Sequence, residues 1–207
     1  MENQAKLIYV GDPMYSWCYG ISDELNELVN HYEDDLEVEL VMGGLRPGGG
    51  DEWNEKFKIF LKSHWTEINH KTGKKFSYDL FDQENFNYDT EPSCRSVVTA
   101  IDMDKNKGLE FFKLVQEGLY FENKDPKDVA FYKPICDKLG LDFETFAQNF
   151  ESNAMKTKTQ DNFRRSAQLG VNSFPTILVQ KDGQTYILSK GYQTFDQMKE
   201  RLDHVLK

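Results

Sequence analysis

Cys18, Cys94 and Cys136 are the strongest nucleophiles in this chain, and no two of them stand at C-x-x-C spacing. Cys18 has the most suggestive setting. It lies in Asp12-Pro13-Met14-Tyr15-Ser16-Trp17-Cys18-Tyr19-Gly20, where a short apolar run gives way to a helical pattern. A side chain at a helix start sees unpaired N–H groups and partial positive charge, which favour a thiolate. Reactive thiols occupy such positions for that reason. A second stretch is Val171-Asn172-Ser173-Phe174-Pro175-Thr176, just before a β-branched run. A proline there is unusual, because it cannot donate to a sheet ladder. A cis bond would explain it by turning the backbone toward a site; an ordinary trans strand start is the alternative. The third stretch, Val41 to Gly48, is a glycine turn that in position would border the same site.

Those residues need elements to hold them. Leu7 to Val10 reads as a buried strand stopped by Gly11-Asp12-Pro13. Residues 16–32 carry one apolar helical stripe through Trp17, Ile21, Leu25, Leu28, Val29 and Tyr32. Asp23 and Glu24 lie early in this helix, past its first turn, and Glu24 is read as an exposed carboxylate rather than one buried under the site. Leu36 to Met42 is a second strand. Strand, helix and strand in so short a stretch make a βαβ unit. Arg46, in the loop that follows, is read as a surface charge.

From Asp51 to Arg165 helical patterns dominate. Trp53, Phe57, Phe60, Leu61, His64 and Trp65 share one predicted face, and Val129 to Leu139 reads as a single helix. Asp142 stands where it can cap the next one. Strands return at Thr176 to Gln180 and Thr185 to Leu188. Asp182-Gly183 between them supplies the positive φ angles of a tight hairpin turn. A last helix runs from about Thr194 to Leu206. The sum is an α/β fold, βαβ plus ββα around one sheet, divided into residues 1–50 and 166–207 with a large all-helical insertion at 51–165. This is the thioredoxin arrangement.

Composition narrows the function classes. Twenty-five Lys and Arg against 35 Asp and Glu leave a net charge of −10, which repels nucleic acid and anionic lipid surfaces. No stretch approaches the roughly 18 apolar residues of a membrane span. The start, Met-Glu-Asn-Gln-Ala-Lys, lacks the features of a secretory signal. Few cysteines, odd in number, fit a reducing compartment, so a cytoplasmic location is expected. The four histidines share no ligand spacing, and no metal site is expected.

With these motifs in hand, the sequence resembles the DsbA family of thioredoxin-fold dithiol–disulfide oxidoreductases, in its FrnE-like bacterial branch. The resemblance rests on the Asp12 to Gly20 motif, on Gly43-Gly44-Leu45-Arg46-Pro47, on Phe174-Pro175-Thr176, and on Glu91-Pro92-Ser93-Cys94-Arg95 with its apolar helix. It covers nearly the whole chain. It implies thiol–disulfide exchange in a groove with Pro175 opposite the motif. Cys18 and Tyr15 would be the catalytic positions, and Met14, Ser16, Trp17 and Phe174 would bind substrate. The family's first motif cysteine is the nucleophile, and here Tyr15 stands in its place. Dithiol exchange at the motif is therefore expected to be impaired.

Four readings stay open on the sequence alone. The groove serves as a non-redox module that binds a peptide or a thiol. Cys18 acts alone through a mixed disulfide. Tyr15 uses its phenol to hold a thiolate, as glutathione transferases do; the kappa class of those enzymes shares this fold and its helical insertion. Or Cys18 pairs with Cys94 as a second thiol, which requires Cα atoms roughly 4.4–6.8 Å apart. The partners implied are protein or small-molecule thiols and disulfides. No cofactor is expected beyond glutathione as a co-substrate.

Overall fold

The computed structural model describes residues 4–207. The first three residues, part of the N-terminal segment read above for a secretory signal, lie outside the described residues. A four-stranded sheet has the order β2-β1-β3-β4, with β1 at Ala5–Gly11, β2 at Leu36–Met42, β3 at Thr176–Lys181 and β4 at Gln184–Lys190. β1 runs parallel to β2, with Leu7 opposite Val38, and antiparallel to β3, with Tyr9 opposite Ile177. β1 and β3 are the central strands, and their alternating faces are covered on both sides. That is why Leu7, Ile8, Tyr9 and Val10 form one apolar run and are all buried. Asp182 and Gly183 both take positive φ in the β3–β4 hairpin, as the turn requires.

The helix expected over 16–32 is two helices. α1 spans Ser16–Gly20 and α2 spans Ser22–His31, with Ile21 at the joint. Asp23 and Glu24 therefore stand in the first turn of α2 after all, where negative charge offsets the positive helix end. Gly20 is needed where α1 meets the helix Glu55–Thr72, since a Cβ there would lie 2.9 Å from Ile68 Cγ2.

The insertion is helical: α3 (Glu55–Thr72), α4 (Glu91–Met103), α5 (Gly108–Tyr120), α6 (Lys133–Leu139), α7 (Phe143–Glu151) and α8 (Asn153–Gln168). α9 (Phe195–Leu206) closes the chain behind a capping box made by Thr194 and Gln197. Asp142 accepts from the Thr145 N–H at 2.8 Å and starts α7. Two expectations need adjusting. Val129 to Leu139 is broken into a 3-10 turn (Val129–Tyr132) and α6, with Pro134 in the first turn of the latter. Trp53 precedes α3, and Phe60 is 48% exposed, so the apolar stripe of α3 is narrower than its sequence suggests.

The insertion has no core of its own. One buried cluster joins Leu7, Tyr9 and Cys18 of the sheet side to Val97, Phe112 and Val115 of α4 and α5. A second, aromatic cluster packs Trp65, Phe81, Tyr88 and Tyr120 of the insertion around Met14 and Tyr19 of the motif. Fully burying each such large side chain is worth about 1.5–3 kcal/mol. The motif turn is thus wedged between two cores that both depend on it.

Candidate active site

Asp12 organises the site. Fully buried at the end of β1, it accepts from the Met14 N–H at 2.9 Å and, across the molecule, from the Leu45 N–H at 2.7 Å. Cys94, from α4, donates its thiol to the same carboxylate at 3.4 Å. One side chain therefore ties the motif turn, the glycine turn after β2 and the start of α4. Burial lifts its pKa above the ordinary carboxylate value, although these donors pull the other way.

The motif residues then divide by position. The Tyr15 N–H bonds Asp12 O at 3.0 Å, and Tyr15 O receives the Cys18 N–H at 2.8 Å. Tyr15 caps α1 by its backbone and stays half-buried. Its hydroxyl has no hydrogen-bond partner among the described residues. Burial raises its pKa, Cys18 adds to the rise, and the Arg46 charge draws it partly back. The phenol is protonated at neutral pH and can donate. Trp17 is also half-exposed, with its ring 6.2 Å from that of Tyr192. Ser16 is nearly buried and its hydroxyl caps nothing. Met14 turns its side chain into the aromatic cluster, and its carbonyl accepts from the Tyr88 hydroxyl at 2.8 Å. It does not line the groove.

Cys18 is 0% exposed, so it does not face the groove as the motif suggested. Its pKa is pushed up to about 12, chiefly by burial, with the N–H of Asp12 and the Tyr9 hydroxyl opposing and the Asp12 charge adding to the rise. The helix-start argument fails here for two reasons. α1 is only five residues long, and the loss of solvent around Cys18 outweighs what so short a dipole supplies. Cys94 and Cys136 are buried too, and all three thiols are free. Cys94 spends its proton on Asp12, and its own pKa is well above the ordinary thiol value.

Before β3, the Phe174–Pro175 peptide bond is cis. Pro175 is buried, its carbonyl taken by the Gly191 N–H at 2.8 Å, while Phe174 stays partly exposed. The Phe174 ring lies directly on Gly43, where a Cβ would sit 2.2 Å from Cε1. Phe163 of α8 lies in the same way on Gly44, which takes φ +67. The two glycines thus serve as flat seats for two rings, and the turn after β2 does border the site. Ser173 is exposed in the loop before β3, with its carbonyl accepting from the Thr176 hydroxyl.

Three roles were not legible in the sequence. Asp12 looked like a local turn residue, and its reach to Leu45 and Cys94 is purely tertiary. Glu24 accepts from Tyr192 Oη at 3.1 Å and from the Phe195 N–H at 2.6 Å, so it holds α9 rather than pointing freely into solvent. Arg46 is held at the edge of the site by rings and by Asp51. The signal for the last was available: a lone arginine two residues after the Gly-Gly pair. Among the described residues, no cluster of His, Cys, Asp or Glu could hold a metal ion, and no helix is long and apolar enough to cross a membrane.

This arrangement of sheet, motif turn and cis-proline wall defines a thioredoxin-like protein. The family model described as thioredoxin (Thioredoxin_5) matches residues 8–200, and the chain belongs to that family. Among its structural neighbours are disulfide oxidoreductases of the DsbA and DsbM kind. A provisionally assigned protein disulfide isomerase from Nitrosomonas europaea is 29% identical, with a TM-score of 0.90, over 99% of this chain and 98% of that one. The cytosolic disulfide reductase DsbM from Pseudomonas aeruginosa is 24% identical, with a TM-score of 0.80, over 97% and 98%. The same DsbM with GSH superposes with a TM-score of 0.77 over the same shares.

Proposed function

We infer that this chain is a thiol- or disulfide-binding member of its family in which the motif does not carry out dithiol exchange. The observation that carries this reading is the burial of Cys18 behind a half-exposed Tyr15. Exchange needs an accessible thiolate to attack and a second thiol to resolve the mixed disulfide. Here the one motif thiol is sealed and its pKa is about 12, and Cys94 is turned to Asp12. The groove between Tyr15, Trp17 and Phe174-Pro175 remains for a ligand. Glutathione, present in the DsbM structure, is the first small thiol to try, and free thiols throughout are consistent with a cytoplasmic home.

The test is insulin reduction with dithiothreitol as the electron source, together with calorimetric titration of glutathione. The expected result is binding without turnover. Turnover by the wild-type protein that disappears in Cys18→Ser would sink the reading.

A second reading is favoured by the unpartnered Tyr15 hydroxyl. Protonated at neutral pH, it can donate to the sulfur of a bound thiolate. Tyr15→Phe would then raise the pKa of a bound thiol, read from thiolate absorbance in the ultraviolet.

A further inference from the structure

We propose that Arg46 is the anion-recognition residue of the groove, and that the thiol or disulfide bound there carries a carboxylate. The proposal rests on the binding reading above and adds to it the chemical class of the ligand.

Three observations carry it. The first is the place of Arg46. Asp12 fixes both sides of the approach, holding the Tyr15 turn through its carbonyl and residue 45 through its carboxylate. Arg46 follows directly, with its own N–H on Thr90 Oγ1 at 3.0 Å. The Arg46 guanidinium lies 5.9 Å from the ring centre of Tyr88, and the Tyr88 hydroxyl bonds the carbonyl of Met14, the residue before Tyr15.

The second is how the side chain is held. The Phe57 ring centre is 5.3 Å from the Arg46 guanidinium carbon, and Nε is paired with Asp51. The guanidinium is therefore oriented before any ligand arrives, which lowers the entropy cost of recognition.

The third is what is left over. Nη1 and Nη2 make no hydrogen bond among the described residues, and the side chain is 26% exposed. An open, planar pair of donors matches a carboxylate in bidentate geometry. In a chain of net charge −10, an acidic ligand needs a local cation of this kind. The Arg46 charge also draws the Tyr15 pKa down, as a cation near that phenol would.

The experiment compares glutathione with its diethyl ester by calorimetric titration on the wild-type chain and on Arg46→Gln, Arg46→Lys and Lys71→Gln. Lys71, over the Trp17 and Tyr192 rings, is the rival cation. Arg46→Gln should weaken the free acid by roughly 10- to 100-fold and leave the ester nearly unchanged. Arg46→Lys should recover only part of the loss, because an ammonium cannot form the paired contact.

Equal losses for acid and ester in Arg46→Gln, an unchanged preference in that variant, or a preference abolished by Lys71→Gln would each overturn the proposal. Failure of the underlying reading looks different: it is dithiol turnover by the wild-type chain, or no binding of either form to it.

Discussion

Tyr15 and Cys18 stand three residues apart on one short turn, yet they belong to different regions of the molecule. Tyr15 is half in solvent, as are Trp17 and Phe174, and its hydroxyl has no partner among the described residues. Cys18 is on the inner side, among Tyr9, Asp12 and the buried cluster that joins sheet and insertion. The separation teaches that helical spacing sets the direction of a side chain but not its exposure. Exposure depends on what lies over the face, and here the insertion covers it. A family site with cysteine at both positions would have one thiol in each region. This chain keeps only the inner one.

The comparison is broken most directly by Tyr15→Cys, which puts a thiol on the groove side. In the wild-type chain, alkylation of native Cys18 by iodoacetamide should be about 10²-fold slower than that of an ordinary exposed thiol at neutral pH, from thiolate fraction net of intrinsic nucleophilicity. Burial should slow it further. In Tyr15→Cys one rapidly labelled thiol should appear, with dithiol turnover in the insulin assay. Rapid labelling of wild-type Cys18, located by mass spectrometry, would mean the two regions are not distinct.

Asp12 is the post between the regions, and its loss should be the costliest for stability. Asp12→Ala leaves the Met14 and Leu45 N–H groups without their acceptor, a cost of about 2–5 kcal/mol by denaturant unfolding. Its pH dependence has a definite sign. Burial raises the folded pKa, so folding favours the protonated form. The stabilising contribution is complete below the unfolded carboxyl pKa of about 4 and is lost as pH rises through the raised folded value. Asp12→Asn should flatten that part of the stability profile, above about pH 4.

Gly43→Ala probes the groove wall, since its Cβ would run into Phe174. Overpacking of this kind costs about 1–3 kcal/mol. Adding Phe174→Ala should recover much of it, and simple additivity in that double-mutant cycle would contradict the contact. The smallest effect sharpens the contrast from the other side. Tyr15→Phe should move stability by less than about 0.5 kcal/mol, because the hydroxyl bonds nothing within the chain.

Much of the frame was legible before the structure. The central strand β1 shows as an unbroken apolar run because both its faces are covered. The β3–β4 hairpin shows through Asp182-Gly183, and α7 through its Asp142 cap. These are local signals, and local physics decides them. The break at Ile21 escaped because one apolar stripe runs through both α1 and α2. The exposure of Phe60 escaped because a helical face is apolar over a wider arc than its neighbours cover.

The candidate site was legible as a set of residues rather than as an arrangement. Tyr15, Trp17 and Phe174 stay partly exposed, but Met14 turns into the aromatic cluster and Cys18 is buried. Arg46 and Asp12 were both visible as charges, but their roles depend on partners many residues away.

The sequence by itself determined which groups this protein has at its motif. One thiol and one phenol stand where a dithiol would need two sulfurs, and no folding can add the missing atom. Only the tertiary structure decided which of those groups meets solvent and in what state. Cys18 is kept protonated because the packed insertion removes the water that would stabilise its thiolate. Arg46 is left with open donors because rings and a single carboxylate occupy its other sides. Solvation and pairing depend on neighbours distant in the chain, so they become fixed only when the chain is folded.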